Sequence, residues 1–350
     1  MKLILPLAGS SSRYGLARPK WMLTMPSGKL MIEEAIQSLD LSNVDEIILV
    51  PQAKHLQGVI TEHVLTDLIS ALTNKHVTVF PLSHPTSSQS ETVAHALLTL
   101  DSDSPFFVKD SDNTFAVTPL PSNSVCFSTL YSSPECQASN KSYIAFDSLN
   151  TIHQIVEKRV ISDTFCVGGY SFRSSALFLE AFQRYQRDAV ETYLSNIIFD
   201  LIAEGEVFRA IPVQEYEDWG TIDEYRQLQR QAYTIFSDFD GVIVENSSKF
   251  AHPSWQLKPI LPNIEALKVK LSHSPYSKLV ITTSRPQAQG DIIREFLSNY
   301  SLYPSHIVTD LPHCQRLLIN DFSATNPYPT ASSISVPRDT TSLAAYLGQH

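Results

Sequence analysis

Short apolar runs with strand character recur along this chain, and stretches with the spacing of an amphipathic helix separate them. The first run is KLILPLA, and further runs follow at 45–51, 76–82, 105–110 and 125–131. Between them, MIEEAIQSLD and SETVAHALLTL place apolar residues at helical intervals. Because nearly continuous apolar strands that alternate with helices build a parallel sheet covered on both faces, the pattern predicts an α/β fold of the doubly wound, Rossmann-like type.

The length of 350 residues predicts two domains, since single hydrophobic cores stop growing at about 250 to 300 residues. After residue 140 the pattern indicates a mixed sheet, with YIAFD, FCVGGYSF and FRAIPV around a helical stretch from Ser174 to about Glu204. The polar helical segment IDEYRQLQRQ then leads to a new strand, YTIFSDFD, so we place the boundary near residue 230. A second, smaller doubly wound sheet is predicted from the later runs, at 278–284, 306–310, 316–322 and 333–337. The predicted domains are 1–230 and 231–350.

The composition is typical of a folded, soluble protein, with 43% hydrophobic and 18% charged residues. No run reaches the roughly 18 to 20 apolar residues of a membrane span, and the N-terminal residues lack the pattern of a signal peptide. We therefore expect a cytoplasmic protein without membrane insertion. The formal net charge of −10 argues against nucleic acid as a partner. Widely spaced cysteines predict free thiols rather than a disulfide framework or a zinc site: Cys126, Cys136, Cys166 and Cys314.

A loop of small and basic residues follows the first strand. In open α/β sheets the loop beyond the carboxyl end of a strand is a natural ligand-binding edge. Small residues let backbone N–H groups approach phosphate oxygens, and they are Ala8, Gly9, Ser10, Ser11 and Ser12. Arg13 and Lys20 supply the positive charge that a triphosphate needs. The loop predicts a nucleotide site; a surface loop with incidental charges is the alternative.

The loop sequence AGSSSRYGLARPK resembles the signature of the sugar-phosphate nucleotidyltransferases, with Ser11 at the usual second glycine. Segments similar to other parts of that family follow in the same order: QSETVAHAL at 89–97, FFVKDSDN at 106–113, VEKR at 156–159, VGGYSF at 167–172 and DWGT at 218–221. Together they cover residues 1 to about 228. The resemblance implies transfer of a nucleotidyl group from a nucleoside triphosphate to a sugar or polyol phosphate, with release of pyrophosphate and with Mg²⁺ as cofactor.

The same resemblance implies roles for individual residues. Arg13 would hold the β- and γ-phosphates, Lys20 the transferring phosphate, and Lys158 the acceptor phosphate. Contacts to the nucleobase or the acceptor are implied for Gln89, Glu157 and Gly169. Asp112 and Asp218 are the candidate Mg²⁺ ligands, with Asp110 as a close rival because the DSD segment offers two acids at the end of a strand.

The segment SDFDGV, at 237–242, places two aspartates at the end of an apolar strand. It resembles the first motif of the haloacid-dehalogenase-type phosphatases, and the resemblance covers about residues 231 to 345. That similarity implies Asp238 as nucleophile and Asp240 as general acid and base. It also implies phosphoryl binding by Thr283, with Ser284, Arg285 and Arg316 near the substrate, and Mg²⁺ binding by Asp238, Asp240 and Asp321.

This second resemblance is incomplete. Asn320 precedes Asp321 where a double Asp is usual, and the expected lysine is missing, which leaves Arg316 or His313 as substitutes. The short connections between the motifs leave no room for a cap domain, so the sequence predicts a capless haloacid-dehalogenase-like domain.

Three functions are consistent with these motifs. The first is a bifunctional enzyme that joins a nucleotidyltransferase to a phosphatase, a combination that the resemblance connects with nucleotide-sugar supply for surface polysaccharide. The second is a nucleotidyltransferase with an inactive binding domain, and the third is a non-catalytic nucleotide-sensing module. The nucleobase, the acceptor, the order of the two steps and the oligomeric state are not determined by the sequence.

Overall fold

The fold is that of a computed structural model, which describes residues 1–9, 18–58, 60–100, 102–133, 138–186, 192–321 and 330–348. The chain divides into two compact units, Met1–Tyr225 and Arg226–His350. The division lies within a helix, close to the boundary that the sequence predicts near residue 230. Each unit is described by itself.

The first unit alternates strands and helices along its length. Its strands are β1 (Lys2–Leu7), β2 (Glu46–Pro51), β3 (His76–Val79), β4 (Phe106–Lys109), β5 (Asn113–Ala116), β6 (Ser124–Thr129), β7 (Ser142–Phe146), β8 (Ile152–Glu157), β9 (Thr164–Phe172), β10 (Arg209–Pro212) and β11 (Gln214–Asp218). Its helices are α1 (Met31–Gln37), α2 (Glu62–Thr73), α3 (Gln89–Leu97), α4 (Ser175–Gln186), α5 (Leu194–Ala203) and α6 (Ile222–Gln231), the last of which spans the boundary. The predicted long helical stretch from Ser174 to Glu204 is therefore two helices.

The main sheet of the first unit is mixed, as the sequence indicates, with strand order β10-β6-β9-β4-β1-β2-β3 and with β7 and β8 attached beside β9. β1 is parallel to both β2 and β4, whereas β9 is antiparallel to β4 and β6. The order reverses at β1, and in open α/β sheets such a reversal opens a crevice beyond the carboxyl ends of the strands. A separate antiparallel pair, β5 and β11, sets Asp218 opposite Asn113.

Two apolar clusters form the core of the first unit, one on each face of the sheet. Leu3 and Leu5 of β1 belong to one cluster, while Ile4 between them belongs to the other. All three side chains are fully buried. Because successive side chains of a strand point to opposite faces, an apolar run such as LIL is stable only where helices cover both faces.

The second unit contains a three-stranded parallel sheet with the order β12 (Thr234–Asp238), β13 (Lys278–Thr282) and β14 (His306–Val308). Its helices are α7 (Leu261–Ser272), α8 (Gly290–Ser298) and α9 (Leu343–Leu347). A core of its own, which includes Phe239, Ile264 and Ile281, lies between the sheet and these helices.

Two of the strands predicted for the second unit are wrong. The described residues of 316–322 and of 333–337 form no strand, and Leu317 and Ile319 are 80% and 83% exposed. An apolar run becomes a strand only where the edge of another strand pairs with its backbone, and β12 pairs only with β13 among the described strands. The order β12-β13-β14 has no reversal, so the described part of this unit is a parallel sheet and not the doubly wound sheet that the sequence predicts.

None of the helices in the described part of the chain is both long enough and apolar enough to cross a membrane.

Candidate active site

A cavity of about 220 Å³ lies beyond the carboxyl end of β4 in the first unit. Its walls come from the β4–β5 connection, the β7–β8 hairpin, β9, the end of β11 and the starts of α5 and α6. Polar side chains make up most of the lining, and its charged residues are Asp110, Asp112, Lys141, Glu157, Asp218 and Glu224. The tertiary structure thus brings to one place acids that lie more than 100 positions apart in the sequence.

Asp110 packs directly against the backbone of β9. Its N–H donates to the Gly168 carbonyl at 2.8 Å, and its carboxylate accepts a hydrogen bond from the Gln89 side chain. Gly168 has φ +79°, and a Cβ on it would come within 2.8 Å of the Asp110 Cβ and closer still to the carboxylate. Burial, with a smaller contribution from the neighbouring Asp112 charge, raises the pKa of Asp110 to about 6.

Lys109, the residue before Asp110, is fully buried. Its ammonium donates to the Asp110 carbonyl at 2.7 Å and to the Asn113 carbonyl and side-chain oxygen at 2.8 and 2.5 Å. It also lies 4.5 Å from the centre of the Phe115 ring. Burial lowers the pKa of Lys109 to about 8, although the surrounding aspartates oppose this shift. The buried cation therefore ties both ends of the Asp110–Asn113 turn together.

Asp112 and Asp218 face one another across Gly220. A Cβ on Gly220 would lie 3.2 Å from Asp218 Oδ1 and 3.5 Å from Asp112 Oδ2. Trp219 N donates to the Asp112 carbonyl at 2.8 Å, and this bond fixes the two segments side by side. The absence of a side chain at residue 220 leaves the space between the two carboxylates open.

Each of these two carboxylates is paired with a lysine. Lys20 forms an ion pair with Asp112, and Lys141 forms one with Asp218. Burial opposes ionisation of Asp112, but the Lys20 ammonium, with help from Lys141 and Lys109, holds the pKa of Asp112 below its usual value. Lys20 lies in a short 3-10 helix, Lys20–Met22, whose Trp21 and Met22 are buried in the core. The buried neighbours anchor the segment that presents this lysine.

The end of the β7–β8 hairpin supplies the other side of the cavity. The Glu157 carboxylate accepts hydrogen bonds from the hydroxyls of Ser142 and Ser195, the latter at 2.8 Å. Lys158 donates to the Tyr193 hydroxyl at 2.7 Å and lies 4.5 Å from the centre of its ring. The two hydroxyls hold Glu157 at the wall of the cavity, where its carboxylate can accept hydrogen bonds from a polyhydroxylated ligand.

The predicted phosphate-binding loop after β1 is described only in part. Ser10, Ser11, Ser12 and Arg13 lie outside the described residues, so their predicted roles stay predictions. Ala8 and Gly9 lie at the carboxyl end of β1, where Gln52 Nε2 donates to their carbonyls at 2.5 and 3.2 Å.

The sequence assigned Gly169 to the ligand-binding site, but it is the neighbouring Gly168 that lines the cavity. A Cβ on Gly169 would instead lie 2.7 Å from Phe115 and 3.0 Å from Phe107 in the core.

The structure adds residues that the sequence analysis did not single out: Lys109, Lys141, Ser142, Tyr193, Ser195 and Glu224. Only Glu224 had a local signal, because Thr221-x-x-Glu224 is a capping box at the start of α6. Thr221 N and Oγ1 donate to Glu224 Oε2 at 2.7 and 2.8 Å, and Glu224 N returns a bond to Thr221 at 3.3 Å. Lys109 bonds its near neighbours Asp110 and Asn113, whereas Lys141 reaches the site through a tertiary contact with Asp218, 77 positions away.

No group of three or more His, Cys, Asp and Glu side chains that could hold a metal ion occurs within the described part of the chain. Asp112 and Asp218 nevertheless offer hard carboxylate oxygens on opposite sides of the gap at Gly220, and such oxygens suit Mg²⁺, which takes one or two carboxylates together with phosphates and water. These two residues therefore fit Mg²⁺, and in this structure Lys20 and Lys141 neutralise the charges of their carboxylates.

The candidate site of the second unit lies at the ends of β12 and β13. Arg285 is fully buried and binds both carboxylate oxygens of Asp240, through Nη2 at 2.7 Å and Nε at 3.0 Å. It also donates to the carbonyls of Trp255 and Gln256 at 3.0 and 2.7 Å. Thr283 donates to Asp240 at 3.3 Å. Asp240 is therefore the partner of a buried arginine, and its predicted role as general acid and base stays a prediction.

Asp238, at the end of β12, is 37% exposed and forms an ion pair with Arg316 at 3.3 Å. Burial raises the pKa of Asp238, an effect that Arg316 opposes. Asp321 is exposed, and within the described residues it joins no metal-binding group with Asp238 or Asp240. Ser284 is half-buried, between Thr283 and Arg285. Of the predicted motif residues, Thr283 and Arg285 thus contact Asp240, and Arg316 contacts Asp238.

Comparison with solved structures shows that the first unit has the fold of the sugar-phosphate nucleotidyltransferases. The chain is similar to the nucleoside-diphosphate-sugar pyrophosphorylase from Vibrio cholerae RC9, with 22% identity and a TM-score of 0.56 over 65% of this chain and 99% of that one. It is also similar to the inositol-1-phosphate CTP transferase from T. maritima, with 12% identity and a TM-score of 0.52 over 65% of this chain and 95% of that one. No protein-family model and no curated protein matches the chain.

Proposed function

We propose that the first unit transfers a nucleotidyl group from a nucleoside triphosphate to a sugar or polyol phosphate, with release of pyrophosphate and with Mg²⁺ as cofactor. The observation that carries the proposal is the facing pair Asp112 and Asp218. Each of them is held by a lysine, and both line a cavity that Glu157 also lines. The fold supports it, since the similar structures include a nucleoside-diphosphate-sugar pyrophosphorylase and an inositol-1-phosphate CTP transferase.

The reaction brings several anions together, so catalysis depends on positioning and on charge neutralisation. When bound, Mg²⁺ would be held by Asp112 and Asp218, and it would neutralise charge on the phosphates. Lys20 would contact the transferring phosphate and Lys158 the acceptor phosphate, while Glu157 would accept hydrogen bonds from acceptor hydroxyls. Arg13 is proposed to bind the β- and γ-phosphates.

The direct test is pyrophosphate release by the full chain, with ATP, CTP, GTP, UTP and dTTP each offered with a panel of sugar and polyol phosphates. Asp112→Asn and Asp218→Asn should each lower the rate by about 10² or more, the effect of losing one charge-stabilising group in an active site. Asp163→Asn is the matched control because Asp163 is an exposed aspartate of the same unit. Loss of activity in the control, or unchanged rates in both site variants, would contradict the assignment.

Asp110 and Asp112 can be separated by the same assay. Asp110 is held by Gln89 and by the backbone of β9, whereas Asp112 faces Asp218. We therefore expect Asp112→Ala to shift the Mg²⁺ dependence of the rate more than Asp110→Ala. The reverse order in a Mg²⁺ titration would assign the metal to Asp110.

We infer a second activity, hydrolysis of a phosphate monoester, for the second unit. Asp238 supports it, because this carboxylate is accessible at the carboxyl end of a parallel strand, where ligands of α/β sheets bind. Asp238 would attack phosphorus and form an aspartyl-phosphate as the P–O bond to the alcohol breaks and the alcohol leaves with a proton. Water then hydrolyses the aspartyl-phosphate to phosphate and the free carboxylate.

One observation favours a different role for the second unit. Asp240, which would serve as general acid and base, is already bound through both carboxylate oxygens by the buried Arg285. In that case the unit binds a phosphorylated ligand without hydrolysing it.

Release of phosphate from sugar phosphates separates the two roles of the second unit. Binding of the same compounds without phosphate release would establish the non-hydrolytic role.

A further inference from the structure

Lys141 is a cation of the first unit's cavity for which the sequence gave no role. It lies immediately before β7, and its carbonyl accepts a hydrogen bond from Lys158 N at 3.0 Å. The next residue, Ser142, pairs with Glu157 in the β7–β8 register. Lys141 and Lys158 therefore lie opposite one another at the same end of this hairpin, next to the glutamate that faces the cavity.

The side chain of Lys141 forms an ion pair with Asp218 and donates to the Tyr216 hydroxyl at 2.9 Å. The lysine and aspartate side chains are only 15% and 13% exposed. An ion pair this far from water is costly to break unless another charge replaces the lost partner. Asp218 is thus held in place by Lys141, and the pair can separate at low cost only if incoming ions replace both partners.

The opposite side of Gly220 repeats this arrangement. Lys20 forms an ion pair with Asp112, whose side chain is 15% exposed, and the two carboxylates face one another across the glycine. Each of the two carboxylates beside the gap is therefore paired with an ammonium group. Asp112 and Asp218 would hold a divalent cation in competition with the ammonium groups paired to them, and the repulsion between like charges in a poorly hydrated site would favour contact of the lysines with the negative phosphates of the substrate.

We propose that Lys141 is a positioning residue that holds Asp218 before the metal binds and then exchanges this carboxylate for the phosphate of the acceptor. This inference rests on the proposed nucleotidyl transfer. The acceptor phosphate is favoured over the triphosphate because Lys141 stands beside Lys158 and Glu157 at the hairpin end. The lysine side chain suits the movement, since its charge is carried on a flexible four-carbon stem.

The proposed exchange and a purely structural role of Lys141 predict different effects of a substitution on ligand binding. If Lys141 competes with the metal for Asp218, Lys141→Met should bind Mn²⁺ more tightly than the parent, by about 3- to 10-fold. The same variant should bind inorganic phosphate more weakly in the presence of Mn²⁺. A structural lysine, in contrast, would weaken both ligands together because Asp218 would lose its position.

The test is a titration of the full chain with Mn²⁺, followed by electron paramagnetic resonance of the free ion, and then calorimetry with inorganic phosphate and with pyrophosphate at saturating Mn²⁺. Lys141→Arg should behave as the parent, because the arginine keeps the ion pair. Lys29→Met is the control: Lys29 belongs to the same unit and bonds the Gln37 side chain away from the cavity. Thermal unfolding confirms that each variant is folded.

Tighter Mn²⁺ binding with weaker phosphate binding in Lys141→Met supports the exchange. Weaker or unchanged Mn²⁺ binding overturns it, and so does the absence of Mn²⁺ binding to the parent. A loss confined to pyrophosphate overturns the choice of the acceptor phosphate. None of these measurements requires turnover. A parent protein that shows the exchange but releases no pyrophosphate with any substrate pair would therefore refute the proposed function. It would not refute this inference.

Discussion

Replacement of Gly168 by alanine tests whether the position of the Asp110 side chain requires a residue without a Cβ at position 168. Gly168 combines φ +79° with direct contact to Asp110, since a Cβ would come within 2.5 Å of the Asp110 Cγ and 2.8 Å of its Cβ. Neither partner can withdraw easily, because Gly168 belongs to fully buried β9 and Asp110 is hydrogen-bonded to Gln89.

The expected loss of stability has two parts. A left-handed backbone costs alanine about 1–2 kcal/mol, and forcing an extra carbon into a packed site costs about 1–3 kcal/mol. The total is about 2–5 kcal/mol, a large share of the stability of a domain. Gly205→Ala isolates the first part, because Gly205 has φ +98° with no atom within 4 Å of an added Cβ. The difference between the two variants measures the collision with Asp110.

The assay is urea unfolding of the full chain, with hydrogen exchange of the β4 and β9 peptides to report on the first unit alone. Gly168→Ala should lower protection in these peptides more than Gly205→Ala does. The double variant Gly168→Ala with Asp110→Ala should be more stable than the sum of the single effects, because the colliding carboxylate is gone. Equal losses in Gly168→Ala and Gly205→Ala would refute the collision.

The remaining predictions concern charge. The pKa of Asp110, raised by burial to about 6 from 3.8, means that the folded protein binds this proton more tightly than the unfolded chain does. The contribution of Asp110 to stability should therefore fall as pH rises from about 4 to about 6, and in urea unfolding Asp110→Asn should become more stable relative to the parent over this range. Asp238→Asn should abolish phosphate release while pyrophosphate release stays near the parent rate, since nucleotidyl transfer uses no aspartyl intermediate; loss of both activities in a folded variant would contradict the two-site assignment. Arg285→Met should destabilise the second unit by about 3–5 kcal/mol, because it leaves the carboxylate of Asp240 buried without its partner. Unchanged thermal unfolding of that variant would show that the pair is not structural.

The apolar runs predicted most of the sheet of the first unit. β1 and β2 lie where KLILPLA and 45–51 indicated, because a strand buried on both faces must be almost continuously apolar. The same rule failed at 316–322, where the run is equally apolar but its described residues find no strand edge to pair with. Apolarity is a property of the local sequence, whereas strand pairing depends on a distant partner.

The candidate site divides in the same way. Asp110, Asp112, Glu157, Lys158 and Asp218 could be singled out from short motifs, because phosphate and metal chemistry requires such side chains at the ends of strands.

What the sequence determined by itself is therefore the alternation of strands and helices and the acidic and basic side chains available to the candidate site. Only the tertiary structure decided their partners. It placed Lys141 on Asp218, Gly168 against Asp110 and Arg285 on Asp240. The physical reason is that a charge acts over a few ångströms in space, whatever the separation along the chain, and folding alone sets those distances.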